Sequence, residues 1–167
     1  NLKFIVAHAE KNLNFESIHL ILSERVPFPY EDLLKKLTSR QIYIHKESDV
    51  LNFDKSRIRY SNPNWIYQMM LKMFQDVNEN DNFLIIDADC IILNQLSFFE
   101  GDKTILYLTR DQYHPPYFKF NNAILGMGRE YDHSFISEFL MYDKKIIKDL
   151  FAKTNCSNVE EFLELVY

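Results

Sequence analysis

Residues 83–90 read FLIIDADC, four apolar residues running into two aspartates that flank one small residue. A short uninterrupted apolar run is the pattern of a strand buried on both faces, as at the centre of a parallel sheet. In such a sheet the C-terminal ends of the strands open on a crevice where ligands bind. Where the chain leaves the sheet, Asp87 and Asp89 can converge on one hard divalent cation, Mn2+ or Mg2+. Room would remain for diphosphate oxygens and water. Ala88 between them is small enough for a nucleotide to approach closely. Two carboxylates buried without a counter-ion would be costly, so the pattern itself calls for a cation or a basic partner.

Upstream, Asn62-Pro63 reads as an N-cap followed by proline at the first helical position. The helix is expected over 63–78, with Ile66, Met70, Met73 and Val77 as its buried stripe. Trp65, Gln68 and Lys72 recur three and four apart and fall on another face, either solvated or lining a site. Nearer the N-terminus the spacing predicts a helix over 2–12, a strand over 17–23, a helix over 31–39 and a strand over 41–45. Residues 46–61 read as a charged loop with one helical turn. Alternating helices and strands predict an α/β layout with a mixed, mostly parallel sheet flanked by helices. The chain opens on a helix where such domains open on a strand, so a first strand is expected to be missing.

Downstream, Lys103–Thr109 reads as a strand ending at Arg110-Asp111. Residues 112–122, QYHPPYFKFNN, read as an aromatic loop, and 123–127 as a short β-like stretch. Helices are expected over 134–141, over 144–153 and from Ser157 onward, Ser157 being spaced for a capping box with Glu160. No repeat or low-complexity segment interrupts the chain, and one domain over 1–167 is the economical reading.

Composition narrows the class. The chain has 167 residues, 47% of them hydrophobic, enough for a sizeable core. Lysine and arginine number 19 against 24 aspartates and glutamates, a balance with no general attraction to nucleic acid. No stretch reaches the roughly 18 apolar residues of a membrane helix. Cys90 and Cys156 have no metal or redox spacing and read as free thiols in a reducing compartment.

The stretch FLIIDADCIILNQLSFFEGD (83–102) resembles the metal-binding region of GT-A glycosyltransferases, where a strand reaches Asp-x-Asp and continues into an apolar segment ending in paired aromatics. PNWIYQMMLKMF (63–74), with its Trp-x-x-Gln-x-x-x-Lys helix, and FISEFLMYDKKIIKDL (135–150) are similar to bacterial polysaccharide-associated glycosyltransferase-like proteins of unsettled substrate. The resemblance implies a GT-A-like, Rossmann-like domain, incomplete at both ends. It implies metal-dependent transfer of a sugar from a nucleotide-diphosphate sugar to a hydroxyl of a saccharide or lipid-linked saccharide. It places the protein in cell-surface polysaccharide or lipopolysaccharide synthesis, in the cytoplasm or at the inner membrane face. Asp87 would contact ribose or a metal-bound water, Asp89 would ligate the metal, and Gln68 and Lys72 would line the donor or acceptor side.

Other residues read as candidates on their own placement. Asp111 and Glu138 are candidate acceptor bases. Asn121 and Asn122 are candidates for bonding sugar hydroxyls, and Tyr113, Tyr117, Phe118 and Phe120 for stacking or for a hydrophobic lid. His8 and His19 read as structural. Two other classes stay open: an α/β domain that binds without catalysis, and a haloacid-dehalogenase-like phosphatase in which Asp87 would be the nucleophile.

Overall fold

The computed structural model describes residues 2–25, 32, 36–110, 112–134 and 136–166. Among them the order is α1 (Leu2–Asn12), β1 (Ser17–Leu22), β2 (Gln41–Lys46), α2 (Glu47–Val50), a 3-10 turn (Lys55–Arg57) and α3 (Pro63–Phe74). Then follow β3 (Asn82–Ile86), β4 (Phe99–Glu100), β5 (Lys103–Thr104), α4 (Pro115–Leu125), β6 (Phe139–Asp143), α5 (Lys144–Thr154) and α6 (Val159–Val166). The strands form three two-stranded sheets: β1–β2 parallel, β3–β6 antiparallel and β4–β5 antiparallel. The continuous, mostly parallel GT-A-like sheet expected from the sequence is therefore not the architecture. The edge of β3 is taken by β6, which runs the opposite way, with Ile86 opposite Phe139 and Phe83 opposite Tyr142.

The chain divides into two compact units, 1–80 with 88–97 and 158–167, and 81–87 with 98–157. In the first, α3 supplies most of the core. Asn62 caps it, its side-chain oxygen accepting from the Trp65 amide at 3.3 Å, and Pro63 starts the first turn. Ile66, Tyr67, Met70 and Leu71 are buried with Leu51, Ile58 and Leu163. The helix stops at Phe74 because Gln75 is extended, with φ −68° and ψ 140°, so Val77 lies beyond the helical stripe. Tyr67 ties helix to loop, its hydroxyl donating to the Leu51 carbonyl at 3.1 Å under the Lys55 ammonium, which stands 4.1 Å from the ring centre. At the end of α1, buried Asn12 donates its side-chain amide to the Ile92 carbonyl, and its own carbonyl accepts from the Leu96 amide. Those two bonds hold the irregular 88–97 segment where no ladder is available to satisfy its backbone.

Strand alternation gives the β1–β2 pair two unlike faces. Ile18, Leu20, Leu22, Ile42, Ile44 and Lys46 lie on one; Ser17, His19, Ile21, Gln41, Tyr43 and His45 lie on the other, mostly polar one, where Ile21 packs against the α3 core. On the polar face His19 stacks on Tyr43 at 4.7 Å, and its Nδ1 is 3.1 Å from His45 Nε2. Ser17 Oγ stands 3.1 Å from His19 Nε2.

In the second unit β6 passes straight into α5. Asp143 ends the strand and caps the helix, its carboxylate accepting from the Lys145 and Ile146 amides. Phe139, Phe98 and Tyr107 pack edge to face, and Phe83 stacks on Tyr142. Three expected elements change here. The aromatic stretch 112–122 is not a loop, since Pro115 and Pro116 open α4 in the first-turn positions that tolerate proline. The β-like reading of 123–127 gives way to the end of α4, closed by Gly126 at φ +65°. FISEFLMY, expected helical, contributes β6 instead, because its apolar residues pair with β3. The strand expected over 103–109 shortens to Lys103–Thr104, and Thr109 makes one isolated bridge to Ser134. At α6 the capping side chain is Asn158, which accepts from the Glu161 amide at 2.9 Å, in the place expected of Ser157. The helix expected over 31–39 falls on 31 and 33–35, outside the described residues, while 36–39 is turn and irregular backbone. Among the described residues, no helix is long and apolar enough to cross a membrane.

Met70 is the one large side chain with no exposed surface among the described residues. Met70→Ala is expected to lower unfolding stability by about 2–5 kcal/mol, the usual cost of emptying a buried site of that size, as measured by urea denaturation. The His19 pair predicts a pH effect. Burial, and then the charge of His45, hold the His19 pKa below its ordinary 6.5. The unfolded chain therefore takes up a proton that the folded chain resists. Stability is expected to be complete above pH 6.5 and to fall as pH drops through the lowered folded value. Thermal melts between pH 7.5 and 5 should show this slope, and His19→Asn should flatten it.

Candidate functional site

Asp87 follows β3 directly, and its amide donates to the Glu138 carbonyl at 2.8 Å. That bond carries the β3–β6 pairing one step past Ile86 and Phe139, so two acidic residues stand across from each other at the strand end. Like charges in that relation repel. Alternation puts Asp87 on the same face as Phe83 and Ile85, and Glu138 on the same face as Leu140 and Tyr142. Asp87 is half-buried and Glu138 exposed. The Tyr142 phenol is held above its ordinary value of 10.0, mostly by burial and further by the Asp87 charge. Asp87 thus projects its field along an apolar strand face, where water screens it weakly.

Asp89 belongs to the other unit and is exposed. The neighbouring Cys90 thiol points at its carboxylate, 3.8 Å away, a weak contact. Ala88 is exposed as well. The donor set is hard carboxylate oxygen and suits Mg2+ or Mn2+, with coordination positions left for water and ligand oxygens. Among the described residues, no group of three or more His, Cys, Asp or Glu is placed to hold a metal. A cation held by two carboxylates and a ligand's phosphates requires no such group.

The remaining candidates fall as follows. Trp65 and Gln68 are exposed on α3, and Lys72 is half-buried near its C-terminal end, where a cation suits the helix dipole. Trp65 packs near Tyr60, with ring centres 6.4 Å apart. Asn121 and Asn122 are exposed on α4, the Asn122 carbonyl accepting from the Gly126 amide. Tyr113 and Phe118 make a shelf under the Arg129 guanidinium, 4.4 and 5.5 Å from the two ring centres. Asp111 lies outside the described residues. Both cysteines are free thiols. Sequence reading passed over the polar face of β1–β2. The signal was available: Ser17 and His19 alternate with apolar residues at period two, as do Gln41, Tyr43 and His45.

A mixed α/β protein of small paired strands, with an acidic strand exit, is the class these features define. Residues 7–164 match the family of unknown function DUF6492, and the chain belongs to that family. No curated protein and no solved structure matches it.

These findings correct the glycosyltransferase reading. The local likeness of FLIIDADCIILNQLSFFEGD to a GT-A metal-binding region does not extend to the fold, because β3 is paired antiparallel and not set inside a parallel sheet. The family carries no assigned activity. Metal-dependent sugar transfer, a role in polysaccharide synthesis and enzyme status on that basis are all without support. The phosphatase alternative meets the same obstacle, since its nucleophile also sits at the end of a central parallel strand.

The Asp87 field gives a direct check. Asp87→Asn is expected to bring the Tyr142 pKa down toward 10.0 without reaching it, because burial, the larger cause, persists. NMR titration of ring-labelled tyrosine, with Tyr142→Phe for assignment, measures it.

Proposed function

We propose that the acidic strand exit formed by Asp87 and Glu138 binds a divalent cation, Mg2+ or Mn2+, and through it the phosphate oxygens of a small ligand, with nucleoside diphosphates and their sugar conjugates as the leading class. The observation that carries this is the acidic strand exit. Asp87 and Glu138 stand across one strand end. Two hard carboxylates so placed suit a divalent cation that keeps positions for ligand oxygens. Bound there, the cation would neutralise diphosphate charge and orient it. The chain's own part is to supply hard oxygens and to hold Asp87 by its backbone bond to Glu138.

Calorimetric titration of Mn2+, and of UDP and GDP with and without Mn2+, tests the proposal on the intact chain, Asp87→Asn and Glu138→Gln. Mn2+-dependent diphosphate binding, weakened at least about tenfold in each variant, is the expected result; charge-assisted ligand bonds of this kind contribute about 1.5–3 kcal/mol. A second readout needs no nucleotide. Saturating Mg2+ should lower the Tyr142 pKa in the intact chain and not in Asp87→Asn. Cation-independent or absent diphosphate binding, with an unmoved Tyr142, would overturn the reading.

A further inference from the structure

A second site lies wholly within the first unit, on residues distinct from the acidic strand exit. The polar face of β1–β2 forms the floor of an open cavity of about 440 Å³, through Ser17, His19, Gln41 and Tyr43. That volume falls in the range of small-molecule sites. Its rim comprises Glu16, just before β1, and the 77–80 segment that follows α3, including Glu79. That segment is shaped by two side-chain turns: Gln75 Oε1 accepts from the Val77 amide, and Asn78 Oδ1 from the Asn80 amide.

The charge of this cavity is one-sided. Its lining carries two carboxylates and, among the described residues, no lysine or arginine. Neither Glu16 nor Glu79 makes an ion pair among the described residues. Burial, and then the charge of His45, lower the His19 pKa, which disfavours a positive charge on the cavity's own imidazole. The floor adds an aromatic surface. Tyr43 stacks with His19 yet keeps 40% of its surface exposed. A ring face beside carboxylates attracts a cation by its quadrupole as well as by charge. The side-chain amide of Gln41 and those of Asn78 and Asn80 add neutral donors and acceptors.

We propose that this cavity binds a small organic cation, an amine or guanidinium, between Glu16, Glu79 and the Tyr43 ring. A guanidinium offers several planar donors to the two carboxylates while lying against Tyr43, which an inorganic cation cannot do. The site is independent of the Asp87–Glu138 reading, and failure of either leaves the other standing.

Agmatine is the probe, titrated by calorimetry and by NMR of the backbone amides at moderate salt. Saturable one-site binding is expected, with shifts concentrated at residues 17–19, 41–43 and 77–80. Glu16→Gln with Glu79→Gln should weaken binding about tenfold, in line with two partly exposed charge contacts. Tyr43→Leu should weaken it about threefold, the scale of an exposed cation–π contact. Glu100→Gln with Asp102→Asn, the same charge change at the exposed β4–β5 turn, should leave it unchanged. Circular dichroism verifies folding of each variant. Equal weakening by both double variants would reveal general charge attraction and overturn the proposal. So would an unchanged affinity in Tyr43→Leu combined with full displacement by equimolar Mg2+, which would show two acids holding any cation. Absence of saturable binding by the intact chain would overturn it as well.

Discussion

The backbone bond from the Asp87 amide to the Glu138 carbonyl governs the arrangement of the second unit. It is the last rung of a short antiparallel ladder, and that ladder decides which side chains share a face. Phe83 and Tyr142 stack toward one end, while Asp87 and Glu138 meet at the other. An apolar pairing thereby forces two acidic residues together. The pairing stabilises the strands through burial while setting two carboxylates across one strand end. The consequence is visible in the Tyr142 phenol, whose proton is held more tightly by burial and, to a smaller degree, by the Asp87 charge.

The first unit depends on a different constraint, the packing of one amphipathic helix. Met70 and its neighbours on α3 meet Leu51, Ile58 and Leu163, which come from sequence positions before and after the helix. The β1–β2 pair reaches that core through Ile21, on the same face that carries His19 and Tyr43. The stacked rings of Tyr43, His19 and His45 give that face order without making it a core. Burial and the His45 charge lower the His19 pKa, so the same packing that orders the ring disfavours a positive charge beside the adjoining cavity.

Local rules decided the elements whose signals are carried in adjacent residues. The helix from Leu2 to Asn12, the helix capped by Asn62-Pro63 and the helix beginning at Lys144 all lie where periodicity and capping place them. The strands at 17–22, 41–46 and 82–86 also lie within a residue of their apolar runs. Of the stretches read wrongly, two have clear local reasons. His114-Pro115-Pro116 combines a loop signal with a helix-start signal, and the helix wins because neither proline needs to donate an amide in the first turn. FISEFLMY is apolar at spacings that satisfy either period. Only the presence of β3 as a partner makes it a strand.

The sequence by itself determined the chemistry available: the Asp-x-Asp at a strand exit, the helix caps, the alternation of polar and apolar residues in the first two strands. These depend on neighbours within one turn or one pleat, so the chain carries them wherever it folds. Tertiary structure alone decided the direction in which strands pair, and with it the fold. Parallel and antiparallel partners draw on the same apolar residues, and nothing in FLIID specifies which strand will meet it. The same holds for both acidic groupings. Glu138 lies 51 residues from Asp87 in the chain, and Glu79 lies 63 from Glu16. Only the folded backbone brings Glu138 beside Asp87 and sets Glu79 with Glu16 around one cavity.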